Sequence, residues 1–155
     1  LNPTIATLDL ETRSHDRIFV GQRTAQGKAM TLELSQQSEG FRRFLAHLLA
    51  LYQIPSKPTL IFEEAEKGIY PGALAALADH FKSVAEQGMS QVIITTHSPQ
   101  LLDHFPVDAI RVVEMEDYQT KVGPLAPEQV EAVRQNLLCA GELLTADPAR
   151  TAEQV

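Results

Sequence analysis

Glu63 and Glu64 stand side by side at the end of the apolar run Thr59-Leu60-Ile61-Phe62. A hydrophobic strand that delivers two adjacent carboxylates suits metal-assisted phosphoryl chemistry. One carboxylate can hold the hydration shell of a magnesium ion while the next orients and polarises an attacking water. Alone, the pair also reads as a solvated acidic strand end. His97 follows a second apolar run, Gln91-Val92-Ile93-Ile94-Thr95-Thr96, and precedes Ser98-Pro99. Placed at the mouth of a helix capped by Ser98, it could touch a phosphate oxygen and the water, although a lone histidine there is more often structural. The third segment is Ser38-Glu39-Gly40, at the start of an apolar helical pattern. Free backbone N–H groups, a hydroxyl and a glycine that permits close approach make a phosphate-binding end, although such a segment alone is more often an ordinary N-cap.

The elements that must position these residues are read from periodicity. From Ile5 to Leu34 apolar and polar residues alternate (Ile5, Thr7, Leu8, Leu10, then Ile18 and Val20, then Met30, Leu32 and Leu34), with Ala25-Gln26-Gly27-Lys28 as a hairpin turn. From Ser38 the period becomes helical, with Phe41, Phe44, Leu45, Leu48, Leu49 and Tyr52 on one face and Pro55 and Pro58 ending it. Thr59–Phe62 is a buried strand. Pro71 opens a second helix with Leu74, Leu77, Ala78, Phe81 and Val84 inward, closing at Gly88. Gln91–Thr96 is a second strand, Ser98-Pro99 starts a short third helix through Leu102, and Ile110–Met115 is a third strand. A last helix is expected from Pro127 to Cys139 with Val130, Val133, Leu137 and Leu138 inward. Strands and helices in alternation predict an α/β fold: a parallel βαβαβ core flanked by helices, with an N-terminal antiparallel β-hairpin region. The chemistry then falls at the carboxyl ends of the strands, where such sheets bind ligands.

The 155 residues are the size of one domain, divided here into a β-hairpin region (1–36), a core (37–126) and a C-terminal helix and tail (127–155). Apolar residues make 44% and charged residues 21%, an ordinary globular balance. A formal charge of -7 repels phosphate backbones and gives no support for a nucleic-acid face on this piece. The single cysteine, Cys139, allows no internal disulfide and fits a reducing, cytoplasmic compartment. No apolar run approaches the length of a membrane span. The opening Leu1-Asn2-Pro3-Thr4 reads as a cut inside a longer protein.

Order and spacing of the three segments together resemble the C-terminal lobe of ATP-binding-cassette ATPases. The closest forms are those of the predicted ATPases of the RecF/SMC-like branch, a P-loop NTPase fold. There the segments run L-S-D-G-T-L-R, then D-E-P-E-N-G-L-H-P after a strand, then T-T-H-S-P after another. Ser38-Glu39-Gly40 is similar to the signature, Glu63-Glu64 to Walker B with its catalytic glutamate, and His97 to the switch histidine. The tail from Val122-Gly123-Pro124-Leu125 to Gly141-Glu142-Leu143-Leu144 is similar as well, so the likeness spans roughly Met30 to Leu144. It implies ATP and Mg2+ as cofactors, with Glu64 as base, Glu63 at magnesium, His97 at the γ-phosphate, and Ser38, Glu39 and Gly40 at nucleotide held by a second head. Lys67 to Pro71 is then the loop that crosses the interface of such a homodimer. Three positions depart from the pattern: Glu63 for aspartate, Ala65 for proline and Tyr70 for histidine.

No G-x-x-x-x-G-K-[ST] loop occurs in the sequence. Gly21 to Ala29 fails on spacing, ends in alanine where a hydroxyl is needed, and leads into the strand-like Met30-Thr31-Leu32-Glu33-Leu34. The chain by itself is therefore expected to be inactive, with nucleic acid reached only through regions outside it. The alternative reading is a non-catalytic interaction module on an ATPase-derived lobe. A nuclease of the topoisomerase-primase type needs an Asp-x-Asp pair, which does not occur; Asp103, Asp108 and Asp117 are scattered and read as solvated.

Overall fold

In a computed structural model the structure describes residues 5–13, 17–24, 27, 29–146 and 148–152. Three antiparallel strands come first, β1 (Ile5–Arg13), β2 (Arg17–Thr24) and β3 (Ala29–Glu33), paired in that order. Phe19 faces Glu33 and Arg23 faces Ala29 across β2 and β3. Of the turn expected at Ala25-Gln26-Gly27-Lys28 only Gly27 lies within the described residues. Its φ of 81° is one that glycine takes without a Cβ penalty. The side chains of Ile5, Thr7, Leu8 and Leu10 lie outside the described residues. Val20 is fully buried, while Ile18 and Met30 are exposed.

Helix α1 (Glu39–Leu51) starts at Ser38, whose Oγ accepts from the Phe41 N–H at 3.2 Å. Phe44, Leu45 and Leu51 are buried and Leu48 packs on the core, whereas Leu49 and Tyr52 are exposed. The inward stripe is thus narrower than the sequence pattern suggested, because one helix (α2, Leu74–Glu86) and one small sheet cover only part of the apolar arc. In α2 all five expected residues, Leu74, Leu77, Ala78, Phe81 and Val84, are buried. Gly88 follows at φ 67°, the left-handed conformation that commonly ends a helix.

That helix is the crossover between β4 (Thr59–Phe62) and β5 (Gln91–Ile94), which pair in parallel with Leu60 opposite Val92 and Phe62 opposite Ile94. One face of the pair sets Leu60, Phe62, Val92 and Ile94 against the core of α1 and α2. The other face leaves Ile61 69% and Ile93 44% exposed. α3 (Pro99–Leu102) follows, capped by Ser98, whose Oγ accepts from the Leu101 N–H at 3.2 Å.

The chain is α/β, with an antiparallel N-terminal region and a parallel β-α-β unit. Its third core strand takes another partner than expected. β6 (Arg111–Glu116) pairs antiparallel with β7 (Gln119–Pro124), and the described parallel sheet holds β4 and β5 alone. Between β6 and β7, Asp117 and Tyr118 take φ of 48° and 62°, the signs of the tight hairpin turn that matches strand twist. The last helix, α4 (Pro127–Arg134), ends earlier than expected: Asn136 turns left-handed at φ 56° and Leu137 is 70% exposed. The three aspartates are exposed, as the solvated reading expected, although two of them also accept hydrogen bonds. Asp108 receives both oxygens' bonds from Arg134 (2.7 and 3.0 Å), and Asp103 Oδ1 accepts from the Gly141 N–H at 2.6 Å; Asp117 forms the hairpin turn. Gly141 is required where it stands, since a Cβ there would lie 2.5 Å from the Pro99 carbonyl oxygen.

Candidate functional site

Strand β4 ends at Phe62, and the chain then turns sharply. Glu64 takes φ 44°, a left-handed conformation that costs a non-glycine residue roughly 1–3 kcal/mol and persists only where its surroundings over-determine it. Its surroundings are visible. The Glu64 N–H donates to Thr95 Oγ1 at 3.0 Å, the Lys67 N–H donates to the Glu64 carbonyl at 2.9 Å, and Lys67 Nζ pairs with Glu64 Oε2 at 2.9 Å. Ala65 is fully buried in the core shared by α1 and α2, and Ile69 is buried there at 8% exposure. The Ala65 N–H donates to the Thr95 carbonyl at 3.3 Å. A proline at position 65 has no N–H and could not make that bond, which gives the departure at Ala65 a physical reason.

His97 sits on the facing loop, exposed, after β5. Its N–H donates to Glu66 Oε1 at 2.9 Å, and the Ser98 N–H donates to Thr96 Oγ1 at 3.0 Å. The ladder of the two strands is thus continued past their ends by the bonds from Thr95 N to Phe62 O (2.9 Å), Glu64, Ala65 and His97. Glu64 and His97 lie on loops tied directly to each other.

Electrostatically, the hydrogen bond and then the charge of Lys67 hold the Glu64 carboxyl below its ordinary range, with a smaller lowering from His97; Glu64 in turn raises Lys67. A depressed carboxylate contributes stability above its unfolded pKa, and this is lost as pH falls through the folded value. In Lys67→Met the Glu64 titration, followed by carboxyl NMR, is expected to move up toward the ordinary value. An unmoved midpoint would show that Lys67 is not what holds the carboxylate ionised.

Ser38, Glu39 and Gly40 reach the far end of the same loop. A Cβ on Gly40 would lie 2.7 Å from the Gly68 carbonyl oxygen, so the α1 start and this loop are in backbone contact through Gly40. Gly68, at φ 73°, would in turn bring a Cβ to 2.9 Å from Arg43 Cδ. Arg43 is itself held by Glu39 Oε1 at 2.9 Å. Ser38 Oγ is engaged with the Phe41 N–H as a cap, and no bond joins it to Glu64 or His97. Tyr70, 75% exposed, precedes the short helical turn Pro71–Ala73.

Glu63 is exposed beside Glu64. Among the described residues no group of three or more His, Cys, Asp or Glu side chains could enclose a metal. Mg2+ bound through one carboxylate, phosphate oxygens and water needs no such cage, and a single exposed carboxylate fits that mode. A cleft of about 260 Å³ between Arg17, Glu33, Ser35 and Arg42 includes none of Glu63, Glu64 or His97. The residue that sequence reading missed is Glu66: it was only one letter of the pattern, and only the fold shows that it reaches the histidine loop, 31 residues on.

Residues 15–103, more than half of the chain and all of Ser38–Gly40, Glu63, Glu64 and His97, match the family described as "AAA domain, putative AbiEii toxin, Type IV TA system". The chain belongs to this AAA-domain family. The DNA repair protein RecN of Rickettsia typhi is 26% identical over 127 residues, covering 79% of this chain. The chain spans 22% of the length of that relative. Among solved structures it is similar to a chain from work on ATP-driven dimerization and DNA-stimulated activation of SMC ATPases. That likeness has a TM-score of 0.60 at 17% identity, over 87% of this chain and 84% of that one. It is also similar to the Smc head domain with a coiled coil and joint derived from Pyrococcus yayanosii, with a TM-score of 0.55 at 19% identity, over 84% of this chain and 26% of that one. The fold of this AAA domain is therefore that of SMC heads. Among the described residues it has no helix long and apolar enough to cross a membrane.

Proposed function

We propose that this chain is the C-terminal lobe of an ATP-binding-cassette-type ATPase head, and that the whole protein hydrolyses ATP with magnesium. The observation that carries this reading is the loop-to-loop bonding that holds Glu64, in a strained left-handed conformation, beside His97 at the carboxyl ends of two parallel strands. Glu64 is the general base: a carboxylate kept ionised by Lys67 accepts the proton of the attacking water. Glu63 holds magnesium, which when bound neutralises charge on the phosphate oxygens. His97 contacts the γ-phosphate. Ser38, Glu39 and Gly40, at the N-terminus of α1, present backbone donors to nucleotide held by a second head, and Lys67–Pro71 lies at that homodimer interface.

The sequence contains no phosphate loop, so on this reading the isolated chain does not turn ATP over. Another lobe supplies the loop. Parallel sheets are normally covered on both faces, and the outer face of β4 and β5, with Ile61 and Ile93 exposed, is where an apolar lobe fits. Most of the RecN relative's length lies outside the part this chain matches, which leaves ample chain for such a lobe. The single cysteine, exposed, suits a cytoplasmic setting. The test is Glu64→Gln in the full-length protein, which should keep ATP and lose its hydrolysis. A non-catalytic interaction module is the second reading, favoured by the departures at Glu63, Ala65 and Tyr70; it expects no turnover for Glu64→Gln to remove.

A further inference from the structure

Glu66 carries a carboxylate divided between two situations. Oε1 accepts the His97 N–H at 2.9 Å, while Oε2 is buried and meets no hydrogen-bond donor among the described residues. Its backbone carbonyl accepts from the Ile69 N–H at 2.9 Å, which fixes Glu66 within the turn that also carries Glu64 and Lys67. A buried polar oxygen left without a partner is uncommon and calls for a reason. A glutamine would make the observed bond equally well and could keep one acceptor only, whereas a carboxylate has two equivalent oxygens. The neighbouring bonds on the histidine loop are already fixed, Ser98 N–H to Thr96 Oγ1 and Glu64 N–H to Thr95 Oγ1, so that among the described residues it is Glu66 that holds His97.

We propose that Glu66 is a positioning residue, a two-oxygen tether that keeps the His97 backbone bound to the Glu64 loop while the histidine loop shifts between the resting and the nucleotide-loaded arrangement. In the resting state Oε1 holds the His97 N–H. As the loop moves, the donor passes to Oε2 without an intermediate in which it is unpaired. Glu66 acts through His97. The inference rests on the hydrolytic reading for its kinetic half and on the observed geometry alone for its resting half.

The experiment pairs Glu66→Ala with Glu66→Gln. In the 155-residue chain, hydrogen exchange at the His97 amide is expected to accelerate about tenfold in Glu66→Ala and to stay near the wild-type rate in Glu66→Gln. In the full-length protein both variants are expected to lower kcat for ATP about tenfold with KM within about twofold, because nucleotide binding is untouched and only the placement of His97 fails. Wild-type kcat in Glu66→Gln would overturn the proposal by showing that the second oxygen is idle, and so would unchanged His97 exchange in Glu66→Ala. A fall in melting temperature with kcat and KM changing together in both variants would also overturn it, as the mark of a merely structural side chain. If the wild-type full-length protein shows no Glu64-dependent hydrolysis, the functional reading fails instead, and the His97 exchange rates still decide the tether.

Discussion

Replacing Glu64 by glutamine in the full-length protein is expected to slow ATP hydrolysis by about 10²–10⁴-fold while leaving ATP affinity close to wild type, the range typical of a lost general base. Glutamine matches glutamate in size and its backbone N–H can still donate to Thr95 Oγ1, so the turn after β4 should survive. What disappears is the charge that Lys67 holds ionised and that would take the water's proton. The loss should therefore fall on kcat and leave binding intact, so that the variant traps nucleotide. Steady-state phosphate release beside equilibrium ATP binding checks both halves. Turnover within about threefold of wild type would remove Glu64 from the role of base.

Phe81→Ala is expected to cost about 3–5 kcal/mol, the usual range for deleting a buried phenylalanine. Phe81 is 1% exposed, and its ring centroid stands 4.9 Å from that of Phe62 and 6.0 Å from that of His47. It is thus a main prop between α2 and the strand that delivers Glu63 and Glu64. Since small domains have only about 5–15 kcal/mol to lose, urea unfolding should show a much lower midpoint. A change below about 1 kcal/mol would mean that the core under β4 is loosely packed or closes over the cavity.

What the sequence revealed follows from where the physics is local. The face of α2 was fully legible because Leu74, Leu77, Ala78, Phe81 and Val84 repeat at helical spacing and all five are covered. On α1 the same pattern overreached to Leu49 and Tyr52, since periodicity reports which residues are apolar, not how wide a surface the neighbours offer. The β7 strand was missed because its turn uses Asp117-Tyr118, without the glycine that usually announces a tight hairpin, and because Gln119-Thr120-Lys121 is polar. The extra length given to α4 came from placing Leu137 and Leu138 on its inward face: Leu138 does pack on the core beside Val130 and Val133, but from beyond the helix, and Leu137 is exposed. The left-handed Asn136 ends the run before them, a stop that asparagine can provide as glycine does.

At the candidate site, residue types and order picked out Glu63, Glu64, His97 and Ser38–Gly40, and the family match covers all of them. The tether from Glu66 to the His97 N–H was not legible, because it depends on two loops 31 residues apart being brought together by the β4–β5 register. The pairing of Gly40 with Gly68 was hidden for the same reason. Each glycine alone reads as a loop residue, and only the 2.7 Å approach of a Cβ on Gly40 to the Gly68 carbonyl shows that the α1 start must be bare there.

The central claim is that Glu63, Glu64 and His97 form part of a nucleotide site whose phosphate loop comes from another lobe. Calorimetric titration with ATP and magnesium tests it most directly, on this 155-residue chain and on the full-length protein side by side. The account predicts no binding tighter than about millimolar for the chain alone, where no loop cradles the phosphates, and micromolar binding for the full-length protein. Micromolar binding by the chain alone would contradict it.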